Sequence, residues 1–289
     1  MKHTHESYKL SQIITIIILI IVSSSVFLFF VFSEKLEEFS YLESNLKQEE
    51  KDYYANTITY PEERINYDSD SQFANFRPLT GGKLKQDYLF RGASPYLDNE
   101  RTYYVNIFLE KYQINNIISL SENETEIVDL LNKNNYGIYF KNLHKNDLMN
   151  LIATDFESID IRNPKHVKKI DSIFKFIANN NEPKYIHCHI GRDRTGFICL
   201  VIEALAGASY DEMLFDYSES FYNLSFIDKN NKSYKTVLEN FNYTIHLITD
   251  TNINEDIRYE EIQPKTIKFL IKLGISEKTI NKLIQNISY

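Results

Sequence analysis

Ten residues, His187-Cys188-His189-Ile190-Gly191-Arg192-Asp193-Arg194-Thr195-Gly196, carry the chain from the end of a short run (KYIHC, ending at Cys188) into a helical apolar stretch that reaches about residue 206. A strand that feeds a helix through so short a loop turns backbone N–H groups toward one point, and the helix N-terminus adds partial positive charge there. Gly191 permits the backbone angles such a nest needs. Arg194, six residues after Cys188, brings a planar fork able to hold two phosphate oxygens at once. Donors that bind an oxyanion also favour a thiolate, whereas an ordinary cysteine is only a few per cent thiolate at neutral pH. A lone cysteine is most often a small buried residue. Here His, Cys, Gly, Arg, Thr and Gly fall together at a strand–helix junction, so the expected chemistry is in-line attack of Cys188 on phosphorus, followed by hydrolysis of a phosphocysteine. Transfer spreads charge over equatorial oxygens, which makes positioned donors the main catalytic need.

Composition narrows the alternatives. Of the 289 residues, 43% are hydrophobic and 25% charged, so a core is expected and wholesale disorder is not. Net charge is −8 with no long basic block, which argues against nucleic-acid binding. Two cysteines, Cys188 and Cys199, cannot form a disulfide framework, and the absence of a CxxC pair removes a cysteine zinc site. Cys199 is expected in the core of the helix after the loop. No metal and no organic cofactor are implied.

From Gln12 to Phe32 the chain carries no charged residue, a run of 21 residues long enough to span a bilayer. A single-pass anchor is expected. A cleaved signal peptide is the competing reading, with a shorter apolar stretch and a small-residue cleavage site. Lys2 and Lys9 precede the run and acidic residues follow it, which favours a cytoplasmic N-terminus and an extracytoplasmic catalytic part. Residues 33–56, with Leu36, Phe39, Leu42 and Leu46 at near-helical spacing, read as a stalk.

Beyond residue 57, short apolar runs alternate with helical periods. Strands are expected at Tyr88–Arg91, Ile114–Leu120, Tyr136–Leu143 and Lys184–Cys188. Helices are expected near 99–112, 124–134, 166–180, 194–206, 210–223, 231–249, 262–272 and 276–287. This pattern predicts an α/β fold with a central sheet flanked by helices, and a helical C-terminal subdomain. The expected division is 1–32 tail and anchor, 33–56 stalk, 57–250 catalytic domain, and 251–289 helical extension.

The loop resembles the HCxxGxxRTG signature of the protein tyrosine phosphatase superfamily, and more closely the bacterial branch with HCxxGKDRTG, from which Arg192 departs. Asn75-Phe76-Arg77, Tyr88-Leu-Phe-Arg-Gly-Ala-Ser-Pro95, Ile117-Ile-Ser-Leu-Ser-Glu-Asn-Glu124, Asp216-Tyr-Ser-Glu-Ser220 and Leu273-Gly-Ile-Ser276 are similar to that branch over roughly 70–289. The resemblance implies Cys188 as nucleophile and Arg194 as phosphate ligand. It implies that Thr195 hydrogen-bonds the thiolate, that His187 braces the loop, and that His189, Ile190, Gly191, Arg192, Thr195 and Gly196 bind substrate. A general acid is also needed, normally an Asp on a mobile loop. Asp147, after the expected strand Tyr136–Leu143, sits where related dual-specificity enzymes place it. Asp193, inside the loop, is the main alternative, with Asp155 and Asp160 behind.

The substrate expected is a phosphotyrosine or related protein phosphomonoester. A phosphoinositide or inositol phosphate is the alternative, because Arg192 could meet a second phosphate and an anchor suits a phospholipid. An inactive phosphate-binding module would have lost Cys188 or Arg194. The Arg-Thr-Gly continuation argues against a rhodanese-type sulfur transferase.

Overall fold

Three of the four expected strands form, and they pair in parallel at the centre of a five-stranded sheet. The computed structural model describes residues 58–259 and 261–289. Within the compact unit Tyr60–Tyr289 the strands are β1 (Arg77–Pro78), β2 (Leu89–Gly92), β3 (Asn116–Ser119), β4 (Asn150–Ala153) and β5 (Lys184–His187), in the order β1-β2-β5-β3-β4. Only β1 runs antiparallel. Of the unit Met1–Thr59, Ile58 and Thr59 are described, so the apolar run 12–32 and the stalk 33–56 lie outside the described residues. Among the described residues no helix is long and apolar enough to cross a membrane.

The helices are α1 (Asp70–Phe73), α2 (Glu100–Lys111), α3 (Glu124–Lys133), α4 (Ile138–Lys145), α5 (Pro164–Ile177), α6 (Asp193–Leu205), α7 (Tyr210–Ser225), α8 (Tyr234–Thr249), α9 (Ile262–Lys272) and α10 (Glu277–Ile287). Several starts are written in local chemistry. Asn123 and Glu126 form a capping box on α3, Ser209 and Glu212 form one on α7, and Asn163 with Pro164 opens α5. Phe90, Tyr185 and Ile117 stand in register on neighbouring strands and share one sheet face. They are buried in one cluster with Val105 and Leu109 of α2, Ile127 of α3 and Phe140 of α4. Successive strand residues point to opposite faces, and Arg91 turns the other way, toward α7.

The expected strand Tyr136–Leu143 is instead mostly helix α4. Phe140 and Leu143, three residues apart, are its buried positions, while Tyr136 and Ile138 are exposed. Asn134 Oδ1 accepts from Gly137 N at 3.0 Å, and Asn106 Oδ1 accepts from Phe140 N at 2.8 Å. The cap that settles helix over strand therefore comes partly from another helix. The fourth parallel strand is β4, with the short sequence Asn-Leu-Ile-Ala.

The boundary expected near residue 250 is bridged by packing. Gln263 Nε2 donates to Leu205 O at 2.5 Å, and Lys85 N donates to Ile287 O at 2.7 Å. The last two helices thus close onto the same compact unit as the sheet.

Candidate active site

The pairing register brings Gly92, His187, Ser119 and Ala153 to one edge, at the carboxyl ends of β2, β5, β3 and β4. Open α/β sheets bind ligands at this edge. Between His187 and the start of α6, residues 188–192 make the expected turn. Gly191 adopts φ +73°, and a Cβ there would lie 2.1 Å from the Gly92 carbonyl oxygen. Any side chain would push the loop off β2. No side chain caps α6, so its first N–H groups remain suited to an anion.

Cys188 is buried at the head of this turn. Cys199, one face further into α6, is wholly buried, and burial pushes its thiol up to about 12. The two cysteines are both free. His187 is also fully buried, and desolvation pushes its imidazole down to about 4 against the pull of Glu122. Its Nδ1 lies 3.2 Å from Cys188 O, a pairing that only a hydrogen-bearing Nδ1 can make, and burial keeps the ring neutral in this tautomer at neutral pH. Rings of Tyr96 and Tyr185 hold it on two sides, at centroid distances of 5.2 and 5.7 Å.

Arg194 Nη1 donates to Phe156 O at 2.7 Å, joining the loop to the segment after β4. Thr195 Oγ1 is buried with no hydrogen-bond partner among the described residues. Arg192 folds onto its neighbour, with Nε 3.0 Å from Asp193 Oδ1 and Nη2 3.3 Å from Oδ2, and its guanidinium lies 5.2 Å from the Phe221 ring centroid. His189 is exposed, and its Nε2 stands 2.8 Å from Glu122 Oε1. Ile190 is half-buried, and Gly196 is packed beside the Tyr217 ring.

The candidate acids separate clearly. Asp147 follows α4 and precedes β4, whose first residue, Asn150, pairs with Asn116 at the opposite edge of the sheet. The length of β4 alone sets that edge about 10 Å from the loop's. This departs from the sequence expectation, and the cause is the misplaced strand: the true strand begins after Asp147. Asp155 follows β4 on the loop's own edge, immediately before Phe156, with an exposed side chain paired to Lys169. Asp160 accepts from Arg162 N at 2.9 Å in a local turn.

Three further groups escaped sequence reasoning. Glu122 is buried, receives the Tyr96 hydroxyl, and lies 3.2 Å from Ser119 Oγ. Burial pushes its carboxyl up, but bonding to His189, the nearby His187 and Tyr96 prevails and holds it below the usual range. Asn75 Nδ2 donates to Ile190 O at 3.0 Å, and Arg91 Nη2 to Gly191 O at 2.9 Å. Each of the three falls in a segment that carries the family resemblance, and that was the available signal.

The profile described as "Tyrosine phosphatase family" matches residues 71–287. No curated protein matches. Among solved structures, the core catalytic domain of the PP-IP phosphatase SIW14 from S. cerevisiae, in complex with citrate, is similar at 16% identity and a TM-score of 0.32, over 58% of this chain and 93% of that one.

Proposed function

Because the chain belongs to the tyrosine phosphatase family, we propose that Cys188 is its nucleophile and Arg194 its phosphate ligand. The enzyme is a phosphoric monoester hydrolase of the protein-tyrosine-phosphatase type. One observation carries the residue assignment: Cys188 directly follows β5 at the carboxyl edge of the sheet and heads a glycine-dependent turn that leads to an uncapped helix start. In the proposed reaction Sγ attacks phosphorus as the bond to the leaving oxygen breaks, and that oxygen takes a proton. Water then attacks phosphorus, the S–P bond breaks, and inorganic phosphate departs with Cys188 regenerated. Thr195, whose buried hydroxyl has no other hydrogen-bond partner among the described residues, is suited to donate to sulfur as it leaves.

Asp155 is the proposed proton donor, and in the second step its carboxylate accepts the proton from water. It shares the loop's edge and adjoins the carbonyl that Arg194 grips. Lys169 engages one carboxylate oxygen of the exposed Asp155, whereas Arg192 holds both oxygens of Asp193, and Asp160 serves a local turn.

For substrate we assign a phosphotyrosine or related protein phosphomonoester, as in the bacterial branch that the loop resembles. Arg192, which would serve a second phosphate, is engaged with Asp193 and Phe221. Turnover of a phosphotyrosine peptide beside inositol phosphates and phosphoinositides, with Cys188→Ser as control, tests the whole reading. A higher kcat/KM for the inositol compounds would move the assignment to them. Undiminished turnover in Cys188→Ser would overturn the mechanism.

A further inference from the structure

Three motifs outside the cysteine loop meet behind it. Asn75 and Arg77 surround the start of β1, Arg91 lies in β2, and Asp216 and Ser220 stand one turn apart on α7. Asn75 and Arg91 are fully buried, and Asp216 and Ser220 nearly so. One carboxylate orients both guanidiniums: Arg91 Nη1 pairs with Asp216 Oδ2, and Arg77 Nε with Oδ1 at 2.8 Å. Burial pushes the Asp216 carboxyl up, yet Arg77 and Arg91 outweigh burial and hold it below the usual aspartate range. Ser220 Oγ accepts from Arg77 Nη2 at 2.9 Å and from Arg91 Nη2 at 3.1 Å, which fixes the forks further.

The donors left over point at the loop's carbonyls. Arg91 Nη2 reaches Gly191 O at 2.9 Å and Arg192 O at 3.5 Å. Asn75 Nδ2 reaches Ile190 O at 3.0 Å and Gly191 O at 3.2 Å. In a planar trans peptide the carbonyl and the following N–H point in opposite directions. Holding the carbonyls of residues 190 and 191 on this buried side therefore aims the N–H groups of residues 191 and 192 away from it, toward the concave side of the turn. A buried ion pair is by itself weak evidence for stability. Two successive carbonyls, Ile190 O and Gly191 O, gripped by one network are a stronger geometric constraint, and Arg192 O is held in turn by Gly196 N at 2.8 Å in the first turn of α6.

We infer that Asn75 and Arg91, oriented by Asp216, are positioning residues that hold the amides of Gly191 and Arg192 on the phosphoryl group, and so set oxyanion affinity without touching it. This rests on the cysteine-phosphatase reading above. Asn75 has φ +50°, which glycine adopts without strain, so Asn75→Gly removes the amide donor with no change of charge. Arg91→Lys keeps the charge beside Asp216 and loses the fork.

The test uses the full-length protein, following aryl phosphate hydrolysis and its inhibition by vanadate and by inorganic phosphate, beside thermal melting. Both variants are expected to melt cooperatively and to bind vanadate about ten-fold or more weakly. Vanadate should lose more than phosphate, because it presents the equatorial oxygens of the transition state. A purely structural role would lower the folded fraction and leave the vanadate constant of the folded enzyme unchanged. Wild-type vanadate affinity in Asn75→Gly overturns the inference, and that variant decides if Arg91→Lys fails to fold. A wild-type protein that neither turns over phosphomonoesters nor binds vanadate overturns the phosphatase reading, and the positioning role with it. An active wild type with unaltered variants overturns the positioning role alone.

Discussion

The cysteine loop and the segment after β4 meet through Arg194 and are built in opposite ways. In the loop, the carbonyls of residues 189–192 are all engaged, by Ser94 N, by buried Asn75 and Arg91, and by Gly196 N. In the segment, Asp155, Glu157 and Ser158 are exposed, and Phe156 anchors the chain through Leu120 O and Arg194. Phosphoryl transfer needs donors that do not reorganise as charge shifts, which suits the first construction. A proton donor that must admit substrate and then close on the leaving oxygen suits the second, where few ties oppose motion.

The contrast can be broken at several points. Cys188→Ser removes the centre of the rigid part, and kcat is expected to fall by about 10⁶-fold with the fold retained. Asp155→Asn strikes the adjustable part. It should lower kcat about 10²- to 10³-fold for poor leaving groups and far less for an activated aryl phosphate. Asp147→Asn should leave both rates unchanged, and a leaving-group-dependent loss there would place the acid on the wrong edge of this structure.

Stability against pH sharpens the same division. The folded-state imidazole of His187 is depressed from about 6.5 to about 4 by burial. Its contribution is therefore fully present above pH 6.5 and is lost as pH falls toward 4, by about 3 kcal/mol in all. His187→Asn should flatten the acid limb of the melting curve in that window; an unchanged limb would show that the imidazole is solvated. Glu203 on α6 has the opposite sign. It is fully buried, neither oxygen has a hydrogen-bond partner among the described residues, and burial, then Asp216, push its carboxyl well up. Its cost is absent below the ordinary glutamate range and grows as pH rises above about 4.3. Glu203→Met should raise stability by about 1–2 kcal/mol at neutral pH, with the gain shrinking toward pH 4. Lys169→Met, at the exposed pair with Asp155, should change stability by less than about 0.5 kcal/mol, and calorimetry at low and high salt would expose any larger effect.

Much of this architecture was legible because its causes are local. Val167, Ile170, Ile173, Phe174 and Ile177 announce the buried stripe of α5, and all are buried there. The cysteine loop is contiguous, so its spacing survives in the sequence. What escaped depends on distant partners. Phe140 N is capped by Asn106, 34 residues away, and the wrong strand followed from that. Strand β4 lies at the sheet edge with an exposed first residue, so it shows no strong apolar pattern. Asn75 and Arg91 reach the loop across 115 and 100 residues, and no periodicity could reveal their aim. The anchor proposed for residues 12–32 is a matter for protease accessibility in intact cells, where full protection of the C-terminal part would sink the extracytoplasmic placement.

The central claim is that phosphate passes through Cys188. The most direct measurement is acid quenching of the enzyme during turnover of a phosphomonoester, followed by mass spectrometry of the peptide that contains residue 188. The expected result is one phosphoryl group on Cys188, formed at least as fast as steady-state turnover and absent in Cys188→Ser. A phosphoryl group on another residue, or turnover persisting in Cys188→Ser, would contradict it.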